Sequence, residues 1–169
     1  MTDMLTADEL RDVRRRASLY MDYLDELESI QGMPFTEDPD ERARWIIDYM
    51  TLDCYEWYDI MKGNRIEGFV IIGFAPDCHP DADCAIQQVY ITEKMRRRGT
   101  TREAIMEVVE DVGDGVYCLI IVRNNDVAKD FWSNVFRKLG YKGLKLKVWP
   151  GLLEDGDEQR GYVPINFKN

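Results

Sequence analysis

Apolar residues recur every three to four positions over 6–30, where Leu10, Val13, Ala17, Tyr20, Leu24 and Leu27 form one stripe of a helix. Thr6 with Glu9 is a capping-box pattern at its start, and Gly32 lies just past its end. A second helix is predicted from Asp38 as N-cap with Pro39 in the first turn, with Trp45, Ile46, Tyr49 and Met50 on one face. The pattern then changes. Residues 54–61 (CYEWYDIM) and 66–75 (IEGFVIIGFA) read as strands, and Lys62-Gly63-Asn64 between them as the turn of a hairpin. A polar loop over 76–83 leads to a third strand at 84–91 (CAIQQVYI).

Helical spacing returns over 100–112, with Ala104, Ile105, Val108, Val109 and Val112 on one face and Gly113 beyond it. The continuous apolar run 116–122 (VYCLIIV) has the length and composition of a strand buried on both faces. A helix over 126–139 shows Val127, Ala128, Phe131, Trp132, Val135, Phe136 and Leu139, and Gly140 ends it. Strands at 143–149 and 161–168 follow, joined by the acidic loop Glu154-Asp155-Gly156-Asp157-Glu158. The order is two helices, a hairpin, strand–helix–strand–helix and a closing hairpin. It predicts an α/β (α+β) fold, a mixed sheet with helices on both faces. The first helix is expected to pack on this core. A coiled-coil partner is the alternative, so a homodimer is compatible with the pattern.

The chain has 169 residues, which fits one domain over 1–169, with N-terminal helices over 1–53 and a sheet core over 54–169. No apolar run approaches the roughly 18 residues needed to span a bilayer. The acidic N-terminus has no secretion-signal pattern, so the expected compartment is the cytoplasm. There Cys54, Cys78, Cys84 and Cys118 should be reduced thiols. Cys78-His79 with Cys84 offers three soft ligands, whereas structural zinc takes about four at tighter spacing, and no metal is expected. The formal net charge of −10 disfavours nucleic acid and anionic membranes as partners. It tolerates cationic ones, although solubility alone would account for it.

Against that acidic background one segment differs. In Val89-Tyr90-Ile91-Thr92-Glu93-Lys94-Met95-Arg96-Arg97-Arg98-Gly99-Thr100-Thr101 a strand ends, a basic loop with one glycine follows, and a helix begins. Backbone N–H groups at such a junction lack partners within the helix and carry the positive end of its dipole, which makes a seat for a diphosphate. Gly99 allows close approach. The plain structural alternative is a capped helix behind a solvated charge run, since Thr100 and Glu103 also form a capping-box pattern.

The Arg-x-x-Gly-x-(Gly/Ala) arrangement between strand and helix resembles the acetyl-CoA signature of the GCN5-related N-acetyltransferases, the GNAT superfamily. Arg96, Gly99 and Thr101 stand at its three positions, with Thr101 departing from the usual small residue. Asn125, Ala128, Phe131 and Trp132 resemble the family's Asn-x-x-Ala-x-x-(apolar)-Tyr segment, and Gly140-Tyr141 its following Gly-Phe. The likeness spans about 66–149. It implies a sheet splayed between strands 84–91 and 116–122, with the pantetheine arm of acetyl-CoA in the gap. Main-chain groups of Val89, Tyr90 and Ile91 would bond the pantetheine. Arg96, Arg97, Arg98, Gly99, Thr100 and Thr101 would hold the pyrophosphate, and Asn125, Ala128, Phe131 and Trp132 would line the other side.

The implied activity is transfer of an acetyl group from acetyl-CoA to a primary amine, cationic or neutral, by direct attack. Acid and base are less legible. The position where many members carry a carboxylate corresponds to Ala85, and the position of the usual acidic tyrosine to Trp132. Gln87, Tyr90, Tyr141 and Glu56 are the catalytic candidates, and Asp59, Glu67, Asp81 and Asp83 are further nearby acids. Two alternatives follow: a non-catalytic acyl-CoA-binding or protein-interaction module on this fold, or an acetyltransferase acting on a basic protein.

Overall fold

The protein is described by a computed structural model over residues 5–78, 82–113, 115–122, 125–138 and 158–165. Helix α1 (Ala7–Gln31) starts at the capping box expected from Thr6 and Glu9 and ends at Gly32 in the left-handed conformation. Helix α2 (Pro39–Thr51) is capped by Asp38, whose side chain accepts from the Asp40 N–H. Strands β1 (Tyr55–Lys62) and β2 (Arg65–Gly73) form the antiparallel hairpin, and β3 (Cys84–Ile91) pairs antiparallel to β2. Helix α3 (Thr100–Val112), strand β4 (Gly115–Val122), helix α4 (Asp126–Lys138) and strand β5 (Glu158–Ile165) complete the order. The sheet runs β1-β2-β3-β4-β5, with β3 and β4 its parallel neighbours.

The sequence-based expectations hold for every helix and for five strands, within a few residues at the ends. The last strand begins at Glu158, inside the stretch read as an acidic loop, because it pairs along the whole of β4. The strand expected at 143–149 lies outside the described residues.

Strand β2 shows why the sheet is covered twice. Phe69 and Ile71 join Leu19, Tyr20, Leu24 and Ile46 in the core beneath α1 and α2. The alternate residues Val70 and Ile72 join Ile86, Ile105, Val109, Leu119 and Trp132 beneath α3 and α4. A strand buried on both sides must be apolar throughout, as IEGFVIIG very nearly is. Each such side chain contributes about 2 kcal/mol by leaving water.

Two described residues read as apolar-face positions are exposed instead: Val127, in the first turn of α4, at 82%, and Leu10. Both sit near the start of their helices, and neither belongs to the two clusters that cover the sheet.

Two bulges interrupt the ladder. Glu67 is the extra residue between Gly68, opposite Ile60, and Ile66, opposite Met61. Gln87 is extra between Gln88, opposite Ile71, and Ile86, opposite Ile72. Next to the first bulge, a Cβ on Gly68 would lie 2.4 Å from the Tyr90 carbonyl oxygen, so the close approach of β2 to β3 there requires glycine.

Candidate functional site

Strands β3 and β4 pair only through Cys84–Tyr117, Ala85–Cys118 and Ile86–Leu119. Beyond Ile86 both strands continue without pairing to each other, and the departure begins at the Gln87 bulge. This is the splay expected from the sequence. Because the two strands are parallel, their carboxyl ends, and the chain that leads to α3 and α4, emerge on the same edge of the sheet. Crevices outside the carboxyl ends of parallel strands are common ligand sites.

The antiparallel ladder decides which main-chain groups face that crevice. The Thr92 N–H donates to the Glu67 carbonyl at 2.9 Å, and successive residues of such a ladder alternate between bonding the partner strand and turning away. By that alternation Tyr90 bonds Phe69 across the β2 side, whereas Val89 and Ile91 turn their N–H and C=O toward β4. The Ile91 carbonyl accepts from Arg96 Nε at 3.1 Å, which agrees with this orientation. Of the two residues so turned, Ile91 has its carbonyl taken by Arg96, which leaves Val89 as the better placed main-chain ligand.

After β3 the chain makes a 3-10 turn over Glu93–Met95, pinned by the buried Met95. Arg97 (φ 61°) and Gly99 (φ 79°) then both adopt left-handed conformations. Such alternation turns successive N–H groups to one side and favours a bound anion. Gly99 is the N-cap of α3, with no side-chain cap, and the first intrahelical bond runs from the Glu103 N–H to the Gly99 carbonyl at 3.0 Å. The capping box read from Thr100 and Glu103 therefore does not form. With Gly99 as N-cap the box would need its acid at Arg102, and Glu103 stands one residue too late. The helix-terminal amides keep their outward donors.

The three arginines are not equivalent. Arg97 and Arg98 are exposed, but Arg96 folds back. Besides bonding Ile91, it donates through Nη2 to Glu26 of α1 at 2.5 Å and lies 5.6 Å over the Tyr90 ring. The hydrogen bond it donates to Glu26 holds its guanidinium above the ordinary arginine range. Across the crevice Asn125 caps α4, its Oδ1 accepting from the Ala128 N–H at 3.0 Å. Ala128 and Phe131 are half-buried, and Trp132 is 6% exposed in the core with its ring edge-on to Phe131. Trp132→Phe is expected to cost about 1 kcal/mol in a denaturation experiment through lost packing, and to leave turnover largely intact.

Most candidate acids are already committed. Asp59 accepts two-pronged from Arg16 and from the Trp57 N–H. Glu67, 2% exposed, is ringed by Lys94, Arg15, Arg65 and the Thr92 hydroxyl. Burial alone would raise its pKa, but Lys94 and Thr92 outweigh it and hold the carboxylate below the usual range. Glu56 accepts from the Tyr58 hydroxyl, which Asp111 also receives, and burial followed by these carboxylates pushes that phenol up. Tyr90 packs against Tyr23 and Phe69 on the α1 side, and burial raises its pKa too. Asp83 is exposed, and Asp81, His79 and Tyr141 lie outside the described residues. Cys84 is buried, and the Cys78 thiol donates to the Ala82 carbonyl.

Two residues missed in the sequence stand out, Glu26 and Asp77. Ala85 is 1% exposed and leaves no carboxylate on β3. The bulged Gln87, 9% exposed, instead reaches the loop after β2, where Nε2 donates to both the main-chain oxygen and the carboxylate of Asp77. Asp77 also accepts from the Tyr55 hydroxyl, and burial followed by that carboxylate raises the Tyr55 pKa. A polar chain of Tyr55, Asp77 and Gln87 thus sits at the point where the sheet opens. No periodicity or spacing marks Asp77, because its contact with Gln87 joins a loop and a strand ten residues apart.

No protein-family model matches the sequence, and no curated protein sequence does. Solved structures do match. An acetyltransferase from Thermus thermophilus is 14% identical, covers 91% of this chain and 91% of its own, and superposes with a TM-score of 0.65. The PaiA N-acetyltransferase of Thermoplasma acidophilum, in complex with coenzyme A, is 10% identical over 92% of this chain and 94% of its own, at 0.60. Tetrahymena GCN5 is 10% identical over 97% and 92%, at 0.57. The element order, the parting of β3 from β4 and these superpositions together establish that the chain has the fold of the GCN5-related N-acetyltransferases.

Proposed function

We propose that the protein is an N-acetyltransferase that uses acetyl-CoA as donor and a primary amine as acceptor. The observation that carries this reading is the crevice between β3 and β4, bordered by the free main-chain groups of Val89 and by the uncapped N-terminus of α3. A coenzyme A complex of the same fold supports it. The pantetheine arm would run beside Val89, and the diphosphate would sit on the amides of 97–101 with Arg97 and Arg98 at its rim. Asn125, Ala128 and Phe131 would border the opposite wall.

The reaction is direct. An ammonium substrate loses one proton, its nitrogen lone pair attacks the thioester carbonyl, the C–S bond breaks, and the second proton that nitrogen gives up on becoming an amide goes to the departing thiolate of coenzyme A. Asp77, held at the opening of the sheet by Gln87, is the proton acceptor, directly or through water. Gln87 positions it, and neither Ala85 nor the packed Trp132 takes part.

Calorimetric titration with coenzyme A, followed by release of free thiol from acetyl-CoA against a panel of amines and basic peptides, tests the proposal. Absence of coenzyme A binding overturns it. Binding without turnover supports a non-catalytic acyl-CoA module, the reading favoured by Ala85 and Trp132, and turnover with basic peptides alone supports a protein acceptor. With a net charge of −10, the acceptor is expected to be cationic or neutral, and kcat/KM for a cationic one should fall as salt rises. A best substrate that is an anionic amine, or kcat/KM indifferent to salt, would refute that expectation.

A further inference from the structure

The loop expected to hold the diphosphate is fastened to α1, a helix some seventy positions earlier in the chain. Its anchors are specific. Lys94 Nζ bonds the buried Glu67 at 2.6 Å, and Glu67 in turn holds Arg15 of α1. Met95 is buried in the core beneath α3 and α4. Arg96 makes the third anchor, with Nε on the Ile91 carbonyl, Nη2 on Glu26 and its guanidinium over Tyr90. The next residue, Arg97, turns left-handed, and the outward amides begin there.

We infer that Arg96 is a positioning residue, clasped by Glu26, and that α1 thereby sets the aim of the amides at 97–101 without touching the ligand. This rests on the reading of that loop as the diphosphate seat. The physical case is that Arg96 is the last residue before the turn whose side chain is held at both ends. Its partner at one end is the terminal carbonyl of β3, and at the other a carboxylate on a separate helix. The guanidinium fork makes both bonds at once, which a lysine ammonium on a flexible stem would not reproduce. Were Arg96 instead a mobile phosphate ligand, Glu26 would only compete for it.

The two roles give opposite signs. Deleting a carboxylate near an anion site should strengthen anion binding if Glu26 acts through its charge alone or sequesters Arg96. It should weaken binding if Glu26 holds the loop. Glu26→Ala is expected to raise the Kd for coenzyme A about tenfold, the worth of one charge-assisted hydrogen bond. The double variant Glu26→Arg, Arg96→Glu should recover part of that loss.

Residue-resolved amide hydrogen exchange on the ligand-free protein supplies the independent readout. The Arg96 amide, bonded to the Glu93 carbonyl, and the Glu103 amide, bonded to Gly99, should exchange faster in Glu26→Ala, and the amides of β1 should not. Unchanged exchange at Arg96 and Glu103, or tighter coenzyme A binding in Glu26→Ala, overturns the clasp. Faster exchange that the charge swap reverses, in a protein that binds no coenzyme A at all, upholds the clasp and overturns the diphosphate reading instead.

Discussion

Gly99→Val is expected to abolish coenzyme A binding while the protein stays folded. Gly99 holds φ at +79°, and a Cβ there would meet Arg102 Nη2 at 3.3 Å and Glu103 Oε1 at 3.7 Å. Those neighbours are side-chain ends that can give way, so crowding is the smaller effect. The backbone is the larger one. A left-handed conformation costs an ordinary L-residue about 1–2 kcal/mol, and β-branching adds to that. The cheapest relief is to rebuild the turn between Arg96 and Thr100, whose residues belong to neither core cluster. The fold survives and the array of outward amides does not. Arg97→Ala and Arg98→Ala should each weaken binding by about 1 kcal/mol, and less at high salt, because exposed side chains are mobile and screened. Calorimetry with circular dichroism as the folding control decides between these outcomes. A folded Gly99→Val protein that binds coenzyme A normally would remove the loop from the site.

Asp77→Asn is expected to lower kcat by about a hundredfold, with the KM for acetyl-CoA nearly unchanged. Asparagine keeps an oxygen to accept from Tyr55, and the main-chain oxygen of residue 77 still receives Gln87, so the loop should hold its shape. What disappears is the capacity to take a proton. The loop proposed to hold the diphosphate follows the far end of β3, which is why donor affinity should not follow. Gln87→Ala should show a smaller loss in the same direction, since it unseats Asp77 without removing it. Full turnover in Asp77→Asn would exclude this carboxylate as the base.

These two residues also mark where sequence reasoning succeeds and where it stops. Gly99 is visible in the sequence because strand, basic loop, glycine and helix follow one another within 89–101. A helix terminus is a local object, and its unpaired donors follow from backbone geometry alone. Even so, one residue of register changed the chemistry. Moving the N-cap from Thr100 to Gly99 cancels the capping box and leaves the amides free. Arg96 illustrates the converse. As sequence it is one of three equivalent arginines, and its distinct role exists only because Glu26 is brought from seventy positions away.

By itself the sequence determined the helices, the strands and their order, because each depends on periodicity, caps and turns within a few residues. It also marked β2 as strongly apolar, the composition that a strand covered on both faces requires. The parting of β3 from β4, which the family likeness led one to expect, begins at a bulge at Gln87, which no spacing announces. A bulge is a mismatch between two strands and belongs to neither alone. For the same reason the tertiary structure alone decided which carboxylates are neutralised by arginine, which main-chain groups face the crevice and which acid stands at its opening. Each of these is a relation between segments far apart in the chain, settled only when the two faces of the sheet are packed.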